Sequence, residues 1–124
     1  MTSPTGAGFV AGAKAYVDAL VSHDPSDVPF HRDCVRIEMG AKTGRSGDHL
    51  RRSLAKGPQY RVIHTITDFT PRVEGPVVHV TFYVHVQPKP LRLAAKVTES
   101  FAFDDSGQIV KIIAKFGVPH RYRR

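Results

Sequence analysis

The stretch LRLAAKVTESFAF, residues 91–103, decides the fold, because it alternates with the two-residue period of a half-buried strand. At that period Leu91, Leu93, Ala95, Val97, Glu99, Phe101 and Phe103 share one face, while Arg92, Lys96, Thr98 and Ser100 share the other. The inward row contains one carboxylate, Glu99. A carboxyl group facing a core must meet a cation, accept several hydrogen bonds or keep its proton, because burial penalises the ionised form and raises the pKa.

Downstream of this strand, DDSG at residues 104–107 reads as a tight turn. A returning strand over residues 108–118 then puts Val110, Ile112, Ala114 and Phe116 on one face and Lys111 and Lys115 on the other. Upstream, residues 76–86 alternate Val78, Val80, Phe82, Val84 and Val86 against His79, Thr81, Tyr83 and His85, and residues 60–70 form a further strand. Pro88 and Pro90 break the chain between strands.

The first third reads as helical. Phe9, Ala13, Tyr16, Val17 and Leu20 recur at helical spacing over residues 5–21, with Ser3 as N-cap and Pro4 in the first turn. HDPSDVPF, residues 23–30, reads as a brief helical connection. CVRIEMG, residues 34–40, is a short strand on which Arg36 and Glu38 are same-face neighbours, followed by a turn at AKTG, residues 41–44. Ser46 caps a third helix that turns Leu50 and Leu54 inward and stops at Gly57-Pro58. Three N-terminal helices packed against a curved antiparallel sheet make an α+β domain. The reading is a single domain over residues 1–124, without repeat or linker.

With 41% hydrophobic and 23% charged residues the composition is that of a globular protein. The single cysteine, Cys34, cannot form an intrachain disulfide, and the N-terminus has no secretory pattern, so a cytoplasmic location is expected. No stretch reaches membrane-spanning length, and no membrane partner is expected. The net charge of +7 is spread along the chain and partly concentrated in the terminal HRYRR, with no basic helix interleaved with aromatics, so nucleic acid is not an expected partner. Seven histidines invite a metal reading, yet His79 and His85 on one strand face lie about 20 Å apart and cannot share one ion. Neither a phosphate loop nor a nucleophile elbow is present, and neither metal nor cofactor is expected.

In order of elements and in local motifs the chain resembles the nuclear transport factor two-like superfamily, the cystatin-like α+β cone shared by ketosteroid isomerases and SnoaL-type polyketide cyclases. AYVDAL at residues 15–20, VRIEMG with GRSG at residues 35–47, and ESFAF followed by DDSGQIVKIIAKFG at residues 99–117 resemble ketosteroid isomerase motifs. The resemblance implies that Tyr16 donates to a substrate oxyanion, Glu38 stands at the general base and Glu99 at a protonated second donor. Both acids are glutamates where the isomerases carry aspartates. It also implies a hydrophobic small-molecule ligand and a homodimer formed through the outer sheet face, for which His79, Thr81, Tyr83 and His85 are candidates.

Proton transfer next to a carbonyl needs one ionised carboxylate and neutral donors at the developing enolate oxygen, a pattern whose general worked example is ketosteroid isomerase itself. Glu38 beside Arg36 and Glu99 among apolar residues suit those roles. The plainer readings are an ion-paired strand carboxylate for Glu38, a hydrogen-bonded structural acid for Glu99 and a core tyrosine for Tyr16. The leading expectation is an isomerase or cyclase type enzyme acting on a hydrophobic ketone or polycyclic compound. The rival is a non-catalytic ligand-binding or dimeric scaffold protein. An epoxide-hydrolase-like variant would need an acid, an arginine and a second acid around a water, which the sequence alone does not assemble.

Overall fold

A computed structural model describes residues 5–122. Helix α1 (Gly6–Ser22) buries Phe9, Ala13, Tyr16, Val17 and Leu20, the apolar face read from the sequence. The expected N-cap Ser3 and first-turn Pro4 lie outside the described residues; Thr5 is the cap, its Oγ1 accepting from the Gly8 N–H at 3.2 Å. The chain then runs through β1 (Phe30–Glu38), β2 (Ala41–Gly44), α2 (Gly47–Lys56), α3 (Pro58–Arg61), β3 (Ile63–Glu74), β4 (Val77–Val86), β5 (Leu93–Phe103), β6 (Ile109–Phe116) and β7 (His120–Arg121).

The strands form one curved, unclosed sheet in the order β2-β1-β6-β5-β4-β3, with β7 paired to the start of β5. All pairings are antiparallel except β1 with β6, which is parallel. Helix α1 crosses β3 and β4, and α2 covers β1, so one sheet face is closed by helices. The core between these layers is Phe9, Tyr16, Leu20, Leu50, Phe82 and Phe101 with their aliphatic neighbours. No helix among the described residues is long and apolar enough to cross a membrane.

Several local expectations are corrected. The segment after α1 is a turn, not a helix, and the third helix in the fold is α3, which starts where Gly57-Pro58 was expected to end helical structure. Proline at the first helical position needs no N–H, so the pair can stop one helix and start another. Tyr60 therefore sits on α3 rather than on a strand. AKTG is strand β2, hydrogen-bonded to β1, rather than a turn alone. Opposite Ala102 and Phe103 of β5 the pairing with β6 slips, so that Ile109 is buried and Val110 only half-buried, while Phe116, at the other end of β6 and in regular register, is exposed. Leu91 lies in a 3-10 turn before β5 and is exposed; the inward row from Leu93 to Phe103 stands as read.

Candidate functional site

Sheet register brings the two acids onto one row. Glu38 on β1 and Glu99 on β5 are both paired with Ala114 on β6, one from each side. Cross-strand partners point to the same face, so both carboxyl groups stand on the helix-covered side with a buried methyl group between them. Their backbones are about 10 Å apart, two strand spacings. In the next inward row, Arg36 and Phe101 flank Ile112 in the same way.

Arg36 is 5% exposed and is the cation that Glu99 and Glu38 share. Its Nη1 donates to Glu38 Oε1 at 2.7 Å and to Thr43 Oγ1 at 2.9 Å. That pairing leaves Glu38 Oε2 uncommitted on a half-buried side chain. Burial, the largest influence on the guanidinium, works against its charge, but Tyr16, Glu99, Tyr60 and the bond to Glu38 more than offset it, so Arg36 stays charged.

Glu99 is 2% exposed, and burial pushes its pKa up to about 7. The Arg36 charge pulls it down and the Glu38 charge raises it, both less strongly than burial. Tyr16 is fully buried, with its ring edge-on to Phe101 at 5.3 Å and to Phe30 at 6.0 Å. Burial, then the Glu99 charge, lifts its hydroxyl well above the ordinary range, and burial likewise raises Tyr60. Arg36 Nε and Glu99 Oε2 are buried without an aligned hydrogen-bond partner, while the Tyr16 hydroxyl lies within reach of Arg36 and Tyr60. A buried polar atom left unpaired costs about 1–3 kcal/mol.

A cavity of about 240 Å³ opens over this cluster. Arg36, Glu38, Tyr60 and Glu99 form its polar end; Leu20, Ile63, Val84, Ala95 and Val97 are among its apolar walls. Val62, Phe116 and Pro119, all exposed, stand at the mouth. Glu38 and Glu99 thus line one cavity. Tyr16 does not line it, and packs behind the floor beside Arg36 and Glu99.

Two residues were not singled out from the sequence. Arg36 enters the sequence reading only as a same-face neighbour of Glu38, and alternation alone does not say which face of that strand the core takes. Tyr60 was hidden by its assignment to a strand, although Pro58 offered a helix start. Among the described residues no group of three or more His, Cys, Asp or Glu side chains could hold a metal ion.

A family model described as a domain of unknown function, DUF8021, matches residues 3–116. No curated protein matches the sequence. Among solved structures, the chain is similar to a steroid delta-isomerase from Pseudomonas aeruginosa at 20% identity, covering 94% of this chain and 85% of that one, with a TM-score of 0.66. It is similar to an LEH-like epoxide hydrolase from M. tuberculosis at 20% identity, over 90% and 84% of the two chains, with a TM-score of 0.67. It is also similar to an NTF-2 like protein of unknown function from Burkholderia xenovorans LB400 at 14% identity, over 94% and 88%, with a TM-score of 0.69. These likenesses establish the nuclear transport factor two-like fold.

Proposed function

The chain belongs to the DUF8021 family of domains of unknown function, so its chemistry has to be argued from the site, and we propose an acid–base enzyme acting on a small hydrophobic carbonyl compound. The observation that carries this reading is that a buried carboxyl group, Glu99, and an arginine-bound one, Glu38, stand on one sheet face and line the polar end of the same apolar cavity, burial pushing the first up to about 7. Environments that set two carboxyl groups apart divide the labour between acid and base. Glu38 takes a proton from the carbon next to the carbonyl through its uncommitted oxygen. Protonated Glu99 and Tyr60 donate to the oxygen as it gains charge, and the fixed charge of Arg36 stabilises the enolate. Tyr16, behind the floor, holds Arg36 and Glu99 in place rather than touching the substrate.

The cavity is below the 300–1,000 Å³ of pockets for drug-sized ligands, so a one- or two-ring ketone fits inside and a larger polycycle extends through the mouth. A non-catalytic scaffold is the weaker account, since the cavity is not filled by Phe and Val side chains and Glu99 Oε2 is not capped. The test is an ultraviolet assay of conversion of 3-cyclohexen-1-one, and of a β,γ-unsaturated ketosteroid, to the conjugated isomers. Turnover that is lost in Glu38→Ala supports the proposal; no turnover of either ketone by the parent protein removes isomerisation.

The acid, arginine and acid around one cavity favour a second reading, opening of an epoxide by water. There Glu99 protonates the ring oxygen and Glu38 draws the proton from the attacking water. Diol formation from styrene oxide without ketone isomerisation would select it. Two copies associate through the outer sheet face that carries His79, Thr81, Tyr83 and His85; sedimentation equilibrium showing only monomer would remove that assembly.

A further inference from the structure

Most of the large exposed apolar side chains among the described residues gather at one end of the molecule, together with several basic ones. The end strands meet at the cavity mouth: β1 and β6 finish there, while β5 begins beside the end of β4 and the start of β3. Of the seven large apolar side chains exposed among the described residues, Met39, Val62, Leu91, Phe116 and Val118 belong to the segments around this mouth. Val118 is 84% exposed, Met39 62% and Leu91 56%.

The same segments are basic. Residues 39–46, 56–67, 86–98 and 115–122 contain no acid, and they carry Lys42, Arg61, Lys89, Arg92, Lys115 and Arg121 on the surface; the exposed acid that borders them, Asp68, accepts from the Tyr122 hydroxyl. At the far end of the sheet the charges are mixed, with Glu74 at the β3–β4 turn and Asp104 and Asp105 at the β5–β6 turn near Arg72 and Lys111. The open end of the cavity therefore combines exposed apolar side chains with an excess of basic ones.

We propose that this end docks on an anionic lipid surface and admits a hydrophobic ligand directly from it. Apolar tips flanked by Lys and Arg are what an interfacial protein places against headgroups and acyl chains. The apolar side chains project from separate loops and strand ends around an opening, with no continuous groove to read a protein partner's shape. A fluid interface covers such a ring without shape complementarity. This docking is surface contact and needs no membrane-spanning segment. It goes beyond the catalytic reading and is measured without turnover, so either can fail alone.

The experiment is sedimentation of the full chain with vesicles of phosphatidylcholine alone or mixed with phosphatidylserine. The parent protein is compared with Leu91→Asp/Val118→Asp and Lys89→Glu/Lys115→Glu, whose folding is checked by circular dichroism; none of these four residues lines the cavity. The parent is expected to bind the mixed vesicles, and each double variant to lose about tenfold or more in affinity. No binding by the parent overturns the proposal, as does undiminished binding by Leu91→Asp/Val118→Asp. Displacement from vesicles by soluble polyglutamate at equal charge would point to an acidic protein instead and overturn the lipid surface.

Discussion

A carboxyl group closed off from water holds its proton to higher pH, and for Glu99 this has a measurable effect on stability. Its folded pKa of about 7 lies above the ordinary 4.5. Between those values the folded protein keeps a proton that the unfolded chain has released, so stability falls as pH rises through the window and is flat above it. The loss amounts to about 3 kcal/mol. Urea denaturation of the parent and Glu99→Gln is expected to show this loss in the parent only, as a difference in slope between about pH 5 and pH 8. At Tyr16, the hydroxyl meets the Arg36 guanidinium and the Tyr60 hydroxyl, so Tyr16→Phe removes that support and is expected to cost about 1 kcal/mol in the same measurement. Glu99 was legible in the sequence because a strand's period of two leaves no doubt about facing direction. Arg36 was not, because a short strand that alternates charges against Val35, Ile37 and Met39 does not say which side the core takes. The structure buries Cys34 and Arg36 and exposes Met39.

At the scale of elements, α2 shows how local chemistry fixes a helix that covers β1, the strand carrying Arg36 and Glu38. Ser46 Oγ accepts from the His49 N–H at 3.1 Å, Asp48 lies in the first turn and Lys56 in the last, so both helix ends are complemented. Ser46→Ala is expected to cost about 1 kcal/mol by urea denaturation. Gly47 is more constrained, since a Cβ there would meet the His31 carbonyl oxygen at 2.5 Å, a backbone atom that cannot swing aside. Gly47→Ala should therefore cost about 1–3 kcal/mol, more than loss of the cap. The existence of α1, α2 and the long strands was readable because each carries a sustained apolar period. What misled was punctuation: Gly57-Pro58 serves as both stop and start, and a slip of register on β6 moves burial from Val110 to Ile109.

The whole molecule matters because the site exists only through a long-range pairing. Residues 38 and 99 meet because β1 runs parallel to β6 while β5 runs antiparallel to it, and no local pattern states that β1 inserts beside the last long strand. The cone resemblance implied that Glu38 and Glu99 serve one site without giving the strand order; periodicity alone gave the pieces. Global integrity is open to test through Cys34, which is buried, its thiol pushed up to about 12 by desolvation. Its modification by a thiol reagent is expected to track global unfolding in urea, and rapid labelling of the folded protein would contradict the packing of β1. The central claim is that a carboxyl group lining the cavity, Glu99, keeps its proton to near neutrality beside the arginine-bound Glu38. Carboxyl NMR titration with labelled glutamate, assigned through Glu99→Gln, tests it most directly. The Glu99 resonance should titrate near pH 7. Titration of Glu99 in the ordinary range of about 4 to 5 would contradict the account.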